Sequence, residues 1–398
     1  MSEPAGRYEI VAMPNAHSHA FQRGLRGVGE RPAGAAVRGD DFWSWREAMY
    51  RLAETLDPSS MHEAAAAAFA EMARAGYGAV GEFHYVHHQP DGTPYDDPNE
   101  MAIAVAEAAI AAGLRIVLIP VAYARAGWDG ADLEPQGAQR RFSDPDVETF
   151  LTRLDRLRHW AAETAGVEVG VAAHSVRAVP ASWLERIAAY SEERGIVRHV
   201  HASEQRREVD ACRAEHGCSP IALLARTGFL GPRTGVVHGI HVDDQDISLM
   251  ASTRSIVVTC PTTEGNLGDG HFPAVAYRDA NVRIAIGSDS QVRVDPFEEV
   301  RELETGARRQ VETREGLLSA SGDLWAELVT SGAASLGLDE EALPWIELDL
   351  THPTLRDVPA EVLPLAIATC ATADSVTRVG PRIGERDPHI GADDGESR

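Results

Sequence analysis

Eight short apolar segments of β-type sequence alternate with longer helical segments along this chain, and this alternation strongly constrains the fold. Strands that alternate with helices run parallel in one sheet, because each helix carries the chain back across the sheet. The predicted strands are Tyr8–Met13, Ala79–Phe83, Arg115–Val121, Val167–Ala172, Ile196–His201, Gly235–His238, Ile256–Thr259 and Arg283–Ile286. Eight parallel strands close a barrel, so the predicted fold class is α/β with a (β/α)8 TIM-type barrel.

The helical segments between these strands have recognisable ends. Residues His62–Gly76 have an alanine-rich interior that favours helix, and Gly76 suits the position that follows a helix. The chain has 398 residues, more than one hydrophobic core usually serves. We therefore expect either one large barrel or two domains.

The charged residues exclude several classes of function. The chain has 37 basic and 61 acidic residues and a formal net charge of −24, which is the wrong sign for a protein that binds nucleic acid. None of the basic residues is lysine. The chain therefore has no Schiff-base lysine, no P-loop lysine and no carboxylated lysine that could bridge two metal ions.

The cysteines and the N-terminal sequence indicate a cytoplasmic protein. The four cysteines form no CxxC pair and are too few for a disulfide framework in a chain of this length. The N-terminus lacks the basic and apolar regions of a signal peptide, and no apolar run is long enough to span a membrane. We expect a reducing compartment and no membrane partner.

Histidines and a carboxylate follow several of the predicted strands. His17 and His19 follow the first strand, His201 and His238 end the fifth and sixth, and Asp289 follows the eighth. The carboxyl ends of barrel strands meet at one face, so these side chains should converge there. Imidazole and carboxylate are ligands for zinc or ferrous iron. The predicted ligands of one divalent metal ion, zinc in preference to iron, are His17, His19, His201 and Asp289.

Other histidines near these strand ends have simpler interpretations. His199 lies on the same face of its strand as His201 but deeper, which favours a hydrogen-bonded residue of the barrel core. The segment HYVHH after the second strand contains Tyr85, His87 and His88. A second metal site there is conceivable, but ordinary loop polarity explains the segment more simply.

The order of these motifs resembles the amidohydrolase superfamily and, within it, the formimidoylglutamate deiminases of histidine degradation. The resemblance covers roughly residues 8–306. It rests on the segments NAHSHAFQRGLRG, DDFWSWREAMYR, GEFHYVHH, AAHSVRAV, HVHASEQRREVDAC, VHGIHVDD, CPTTEGNLGDG and GSDSQVRVDPFEEVRELE. The HxH motif with the later histidine and aspartate marks only the superfamily, whereas FQRG, FWSWRE, EFHYVHH and EGNLGDG are much narrower.

The resemblance implies an activity and a set of site residues. The activity is metal-dependent hydrolysis of N-formimino-L-glutamate to N-formyl-L-glutamate and ammonia. The family's metal ligands fall on the four residues already predicted. Its proton-transfer residues fall on Glu204, His238 and Asp289. Its substrate-binding residues fall on Gln22, Arg46, Tyr85, His174 and Arg177.

The ends of the chain depart from the family pattern. Family members carry an N-terminal segment whose strands join the C-terminal part of the chain in a small β-domain, whereas here the first barrel strand is predicted almost at once. We therefore expect a reduced accessory β-domain. The predicted domains are the barrel over 1–340, a remnant of the accessory β-domain over 341–381, and a disordered tail over 382–398.

Two alternative functions stay open at this point. One is a mononuclear deaminase that acts on an aromatic amidine such as a purine or a pterin. It predicts stacking side chains and gives the two arginines, which suit a dicarboxylate, no role. The other is a truncated relative that binds metal without turnover, suggested by the missing N-terminal strands. The expected partner is a small molecule, and a homodimer is left open.

Overall fold

The structure is a computed structural model that describes residues 6–29, 42–318 and 322–382. Its strands are β1 (Arg7–Val11), β2 (Met13–Ser18), β3 (Tyr77–His84), β4 (Arg115–Ala122), β5 (Gly127–Trp128), β6 (Asp132–Leu133), β7 (Val167–Val169), β8 (Val171–Ser175), β9 (Arg198–Ala202), β10 (Thr234–His238), β11 (Ile256–Thr259), β12 (Ile284–Ile286), β13 (Pro344–Asp349) and β14 (Val376–Arg382). Its α-helices are α1 (Phe42–Thr55), α2 (Pro58–Ala75), α3 (Glu100–Ala111), α4 (Val147–Ala162), α5 (Ala181–Arg194), α6 (Arg206–His216), α7 (Pro220–Arg226), α8 (Asp244–Thr253), α9 (Pro261–Leu267), α10 (Ala274–Asp279), α11 (Pro296–Val311), α12 (Leu324–Leu336) and α13 (Leu363–Thr369).

Eight parallel strands form the predicted (β/α)8 barrel. Their order is β2-β3-β4-β8-β9-β10-β11-β12, and the short strand β7 pairs with β4 just before β8. A parallel bridge between Ser18 and Asp289 joins the first strand to the segment after the last. Two backbone hydrogen bonds of 3.0 Å reinforce it, from Asp289 to the His17 carbonyl and from His19 to the Asp289 carbonyl. The barrel is thus closed at the residues predicted to bind metal.

The first barrel strand is β2, so the prediction of Tyr8–Met13 as that strand is wrong. Residues Arg7–Val11 instead pair antiparallel with β13, which pairs in turn with β14, in a separate three-stranded sheet. The segment MPNAHS of β2 was not recognised because proline, asparagine and histidine are uncommon in strands. All six of its residues are nevertheless buried, because this strand supplies polar groups to the barrel interior and its mouth.

The three-stranded sheet draws on both ends of the described chain. Its register pairs Tyr8 with Leu348 and Val11 with Trp345, more than 330 residues apart in sequence. One strand of the predicted barrel segment 1–340, Arg7–Val11, therefore pairs with the predicted remnant at 341–381. The division at residue 340 stays a proposal. The predicted disordered tail lies outside the described residues, except for residue 382.

Helix α12 packs across the junction between the last and first barrel strands. Gly332 lies so close to β2 that an added Cβ would come within 2.7 Å of the Pro14 Cγ atom. At the end of the helix, the Ser335 carbonyl accepts a hydrogen bond of 2.9 Å from His199 Nε2. His199 is therefore held inside the barrel, and burial lowers its pKa to about 4.

The helix predicted over His62–Gly76 is confirmed as α2, but it begins four residues earlier. Asp57 and Ser60 form a reciprocal capping box, and Pro58 occupies the first helical turn, where its missing N–H costs little. Gly76 ends the helix with a left-handed φ of 104°. Across the described segments, no helix combines the length and apolar character needed to cross a membrane.

Candidate active site

Three imidazoles and one carboxylate meet at the mouth of the barrel. His17 belongs to β2 and His19 follows it, so the two side chains project to the same side. His17 Nε2 lies 3.1 Å from His201 Nε2 and 3.6 Å from Asp289 Oδ1. His19 Nε2 lies 3.4 Å from the same Asp289 oxygen. All four side chains are buried.

The protonation states of this cluster suit metal binding. Burial lowers the pKa of His17 to about 3 and lowers that of His19, so both imidazoles are neutral near pH 7. The Phe83 carbonyl lies 2.9 Å from His19 Nδ1, which places the proton there and leaves the Nε2 lone pair facing the cluster. Burial opposes ionisation of Asp289, but the neighbouring histidines outweigh it and lower the pKa of its carboxyl.

The spacing of these atoms fits one metal ion. Ligands held at about 2.0–2.1 Å around a tetrahedral ion lie about 3.3 Å from one another, close to the distances observed here. Within the described residues, ligand atoms of His17, His19 and His201 lie within 4.8 Å of one another and form the one group with metal-binding geometry. His17 Nδ1 is buried without a hydrogen-bond partner in the described structure.

Backbone strain surrounds this cluster. Ser203, His238 and Asp289 have φ values of 57°, 74° and 47°, a left-handed region that side chains rarely adopt. Gly287 passes so close to β2 that an added Cβ would lie 2.6 Å from the His17 carbonyl oxygen. The barrel therefore closes tightly here, and the strained turns direct His238 and Asp289 toward the cavity.

A carboxyl group that sequence reasoning missed holds the HxH segment. Glu82 Oε2 accepts a hydrogen bond of 2.5 Å from Ser18 Oγ, and Oε1 accepts one of 2.7 Å from the Ala20 backbone N–H. Glu82 is buried, which raises its pKa to about 8. Its signal in the sequence is the single acidic residue of the strand YGAVGEFH, all of whose residues are buried. Glu82 thereby orients the turn between His17 and His19.

Glu204, His238 and Glu264 form a chain of charged groups beside the metal cluster. Glu204 Oε1 lies 3.6 Å from His238 Nε2, and Glu264 Oε1 lies 3.2 Å from His238 Nδ1. Glu264 also accepts hydrogen bonds of 2.8 Å from the Cys260 N–H and 2.7 Å from Thr259 Oγ1. Sequence reasoning missed Glu264, which orients the imidazole.

Burial and the neighbouring charges shift the pKa values of both Glu204 and His238. Burial raises the pKa of Glu204 to about 7. Burial disfavours the imidazolium form of His238, but the carboxylates of Glu204, Glu264 and Asp289 outweigh it and raise the pKa of His238 to about 10. Near neutral pH, His238 is therefore a donor at Nε2, and Glu204 can exchange a proton.

The residues predicted to bind substrate line one cavity beside these groups. Gln22 Nε2 donates a hydrogen bond of 2.8 Å to the Tyr85 hydroxyl, and His174 packs edge-on against the Tyr85 ring at a centroid distance of 5.7 Å. Arg46 stacks over the Trp43 ring at 4.5 Å. The predicted residues on the wall are His19, Gln22, Arg46, Tyr85, His174, Arg177, His201, Glu204, His238 and Asp289.

Both arginines line the cavity, and each has one guanidinium nitrogen without a partner among the described residues. Arg46 Nε and Arg177 Nη1 are buried and have no hydrogen-bond partner within the described part of the chain. Arg125, which sequence reasoning missed, donates to the backbone carbonyls of Arg177 at 3.1 Å and Val176 at 3.2 Å. Its own charge is balanced by Glu215 at 2.7 Å. Arg125 therefore holds the segment that carries Arg177.

The HYVHH segment forms a structural network rather than a second metal site. His87 Nε2 donates to the Val121 carbonyl at 2.9 Å, and His88 Nε2 lies 3.4 Å from Asp144. Arg153 Nη2 forms an ion pair of 2.8 Å with the other oxygen of Asp144. Burial opposes ionisation of Asp144, but Arg153 and His88 outweigh it and lower its pKa. These histidines therefore belong to a buried ion-paired network, which is neither a second metal site nor the ordinary loop polarity expected from the sequence.

We expect Asp144→Asn to lower the free energy of unfolding by about 3–5 kcal/mol, because it leaves the buried Arg153 charge without its partner. A carboxyl whose pKa is lowered in the folded state stabilises the fold above its ordinary pKa and loses that contribution as the pH falls. The difference between the two proteins should therefore shrink below about pH 4. Urea denaturation at pH 7 and pH 3.5 measures both effects.

The matched control for this substitution is Glu148→Gln, which removes an exposed ion pair with Arg186. It should cost less than about 1 kcal/mol at either pH. An equal loss of stability in the two variants would contradict a structural role for the buried pair.

Comparison with known proteins agrees with the geometry. The model of the Amidohydrolase family matches residues 10–340. A formimidoylglutamate deiminase from Pseudomonas aeruginosa is 38% identical over 84% of this chain and 74% of the relative. A 5-methylthioadenosine/S-adenosylhomocysteine deaminase from Haloarcula marismortui is 27% identical over 87% of this chain and 74% of the relative.

Solved structures show the same fold. An amidohydrolase from Brucella melitensis superposes with a TM-score of 0.82 and 33% identity, covering 94% of this chain and 85% of that one. An adenosine deaminase from Xanthomonas campestris with bound zinc has a TM-score of 0.76 at 22% identity, covering 94% and 79%. Together with the metal-binding cluster at the mouth of the barrel, these matches show that the chain belongs to the amidohydrolase family.

Proposed function

We propose that the protein hydrolyses N-formimino-L-glutamate to N-formyl-L-glutamate and ammonia. The observation that carries the proposal is the pair of unpartnered guanidinium donors, on Arg46 and Arg177, in the same cavity as the metal-binding cluster and Glu204. Guanidinium groups suit carboxylates, and a dianionic substrate offers two of them to a chain of net charge −24. The Pseudomonas aeruginosa relative carries the name of this activity.

The metal in the proposal is one divalent ion, zinc in preference to iron, held by His17, His19, His201 and Asp289. When bound, it supplies Lewis-acid activation of a water molecule for attack on the amidine carbon. Asp289 is ionised and accepts a proton from that water at a carboxylate oxygen.

Glu204 serves the nitrogen that leaves. Its carboxylate pairs with the cationic amidine group, accepts the second proton of the attacking water and delivers that proton to the nitrogen, which leaves as ammonia as the carbon–nitrogen bond breaks and the oxygen from water stays on carbon as the formyl oxygen. His238 donates a hydrogen bond from Nε2 to that oxygen as negative charge develops on it. Glu264 holds His238 in this orientation through Nδ1.

Gln22, Tyr85 and His174 complete the substrate site. The Gln22–Tyr85 hydrogen bond fixes the direction of both polar groups, and His174 lies against the Tyr85 ring. In the proposal these three groups provide further hydrogen bonds to the substrate, while Arg46 and Arg177 bind its carboxylates.

The runner-up function is deamination of a purine or pterin. Relatives named as deaminases of 5-methylthioadenosine/S-adenosylhomocysteine and of isoxanthopterin make it a necessary comparison. A neutral aromatic amidine would leave both guanidinium donors unpaired, which is costly for buried groups. The cavity wall carries aromatic side chains that could stack on such a substrate, among them Phe42, Trp43 and Trp45, but they give the two guanidinium donors no role.

Ammonia release tests the proposal directly. The protein should release ammonia from N-formimino-L-glutamate and far more slowly from adenosine, guanine and isoxanthopterin, with about one equivalent of metal by plasma emission in the same sample. Activity on the aromatic substrates alone would establish the runner-up. No turnover and less than about half an equivalent of metal after zinc reconstitution would favour the non-catalytic alternative.

The setting of the reaction is part of the proposal. We place the protein in the cytoplasm and in histidine degradation, with a small molecule as its partner and without nucleic acid or membrane. Support comes from four cysteines that are all free in the structure and from the charge of the chain.

Arg177→Met should raise KM for formiminoglutamate by roughly 30-fold or more, because it removes one carboxylate partner in a desolvated site. Metal content should stay at the wild-type value, since Arg177 contacts none of the metal-binding side chains. Steady-state kinetics with plasma emission checks both. Arg233→Met, an exposed arginine at the opposite end of a barrel strand, is the control; equal KM values in the two variants would contradict the assigned pocket.

A further inference from the structure

Glu208 is a cavity-lining carboxylate that the proposed mechanism does not use. Glu208 lies in the first turn of α6, four residues after Glu204, and is only 6% exposed. Its Oε2 atom accepts a hydrogen bond of 3.1 Å from the Glu204 backbone N–H. Its Oε1 atom is buried and has no hydrogen-bond partner among the described residues.

An oxygen in this state is costly for the protein to maintain. Burial raises the pKa of Glu208, and the charge of Arg177 partly opposes that shift. A buried acceptor without a donor costs about 1–3 kcal/mol, and more when it is charged. A ligand that brings an N–H to this oxygen recovers that cost.

The position of Glu208 indicates which part of a ligand it meets. Glu204, beside His238, serves the amidine nitrogen that leaves, whereas Arg177 serves a carboxylate. Glu208 is bonded to the backbone of Glu204 and lies close enough to Arg177 for their charges to interact. It therefore lines the wall between these two ends of the site. In N-formimino-L-glutamate, the N–H that joins the amidine carbon to the α-carbon lies between these two ends; we call it the bridging N–H.

We propose that Glu208 accepts a hydrogen bond from the bridging N–H of the substrate and thereby restricts the enzyme to amidines whose bridging nitrogen carries a hydrogen. This inference rests on the proposed function and deepens it. The Oε2 atom meanwhile holds the backbone at Glu204, so one side chain positions the proton-transfer residue and selects the substrate. A tertiary amidine would leave the Oε1 atom unpaired.

The test compares N-formimino-L-glutamate with its analogue methylated on the bridging nitrogen. Wild-type protein should lose about 100-fold or more in kcat/KM on methylation, because a site built around an N–H rejects a ligand that lacks it. In Glu208→Gln, the amide NH2 facing the cavity no longer favours the N–H substrate, so the ratio should fall below about tenfold. Steric hindrance by the methyl group would persist in this variant of equal size, which separates the two causes.

The control is Asp210→Asn, an exposed carboxylate on the same helix with the same change of charge. It should keep the wild-type ratio. A wild-type ratio below tenfold, or a ratio unchanged in Glu208→Gln, would overturn the inference while leaving the proposed function standing. No ammonia from the unmethylated substrate with wild-type protein would overturn both.

A second measurement covers a Glu208→Gln protein that fails to fold. N-formyl-L-glutamate and its N-methyl analogue are compared as inhibitors of the wild-type enzyme. The N–H compound should bind at least tenfold more tightly, and equal inhibition constants would overturn the inference.

Discussion

Glu204→Gln is expected to lower kcat for ammonia release by about 10³-fold or more, with metal content unchanged. A positioned general acid–base residue contributes about 10²–10⁴-fold, and in the proposed mechanism Glu204 both pairs with the cationic amidine and protonates the leaving nitrogen. Glutamine has nearly the same shape but can neither hold that charge nor carry the proton. The side chain lies outside the group of metal-binding atoms, so the ion should stay bound.

The pH profile gives this prediction a second readout. Burial raises the pKa of Glu204 to about 7, and in the proposed mechanism its ionised form pairs with the amidine cation. Wild-type kcat/KM should therefore fall as the pH is lowered through about 7. The residual activity of Glu204→Gln should lack this dependence, since glutamine does not titrate.

Glu185→Gln, an exposed glutamate on α5, is the matched control and should keep both the rate and the pH profile of the wild type. Stopped assays for ammonia between pH 5.5 and 9, with metal measured in each preparation, provide the data. A fully active Glu204→Gln protein would remove this residue from the mechanism.

The convergence of the predicted ligands could be predicted from the sequence because the topology of the barrel brings the ends of its strands together. Any residue just past a barrel strand reaches the same face, so identifying His201 and Asp289 as strand-end residues was enough to bring them together. An error in one strand did not disturb this argument. His17 and His19 follow Tyr8–Met13 closely enough that the true strand, β2, places them at the same mouth.

The small sheet could not be predicted because its partners are far apart. Arg7–Val11 pairs with β13, and nothing in five residues of alternating sequence distinguishes a barrel strand from an edge strand of another sheet. The difference lies in the neighbours, which the sequence of one segment does not contain. The polar strand β2 was missed for the opposite reason, since its buried histidines serve the site rather than the core.

Supporting carboxylates were harder to predict than the residues that they support. Glu82, Glu208 and Glu264 lie in segments that carry the family resemblance, but for each acidic residue taken singly the sequence favours a solvated role. The structure buries all three beside backbone N–H groups or an imidazole. Their roles depend on what faces them, and that is a property of the closed barrel rather than of any motif.

His201→Ala is expected to abolish metal binding and turnover together. His201 Nε2 lies 3.1 Å from His17 Nε2 and belongs to a different strand from the HxH pair. Without it, the remaining predicted ligands are His17, His19 and Asp289, which lie where the first and last barrel strands meet. Loss of even a residue that supports a ligand costs about 10–100-fold in metal affinity, and loss of the ligand itself should cost more. After dialysis, metal should fall from about one equivalent to a small fraction of one.

Thermal unfolding separates this loss of binding from a loss of fold. An ion that binds only the native state stabilises the protein, so added zinc should raise the Tm of metal-depleted wild-type protein but not that of His201→Ala. His159→Ala, an exposed histidine on α4, should respond like the wild type. A His201→Ala protein that keeps a full equivalent of metal would show that the ion is held elsewhere, and the assignment of Asp289 and the HxH pair as its partners would fall with it.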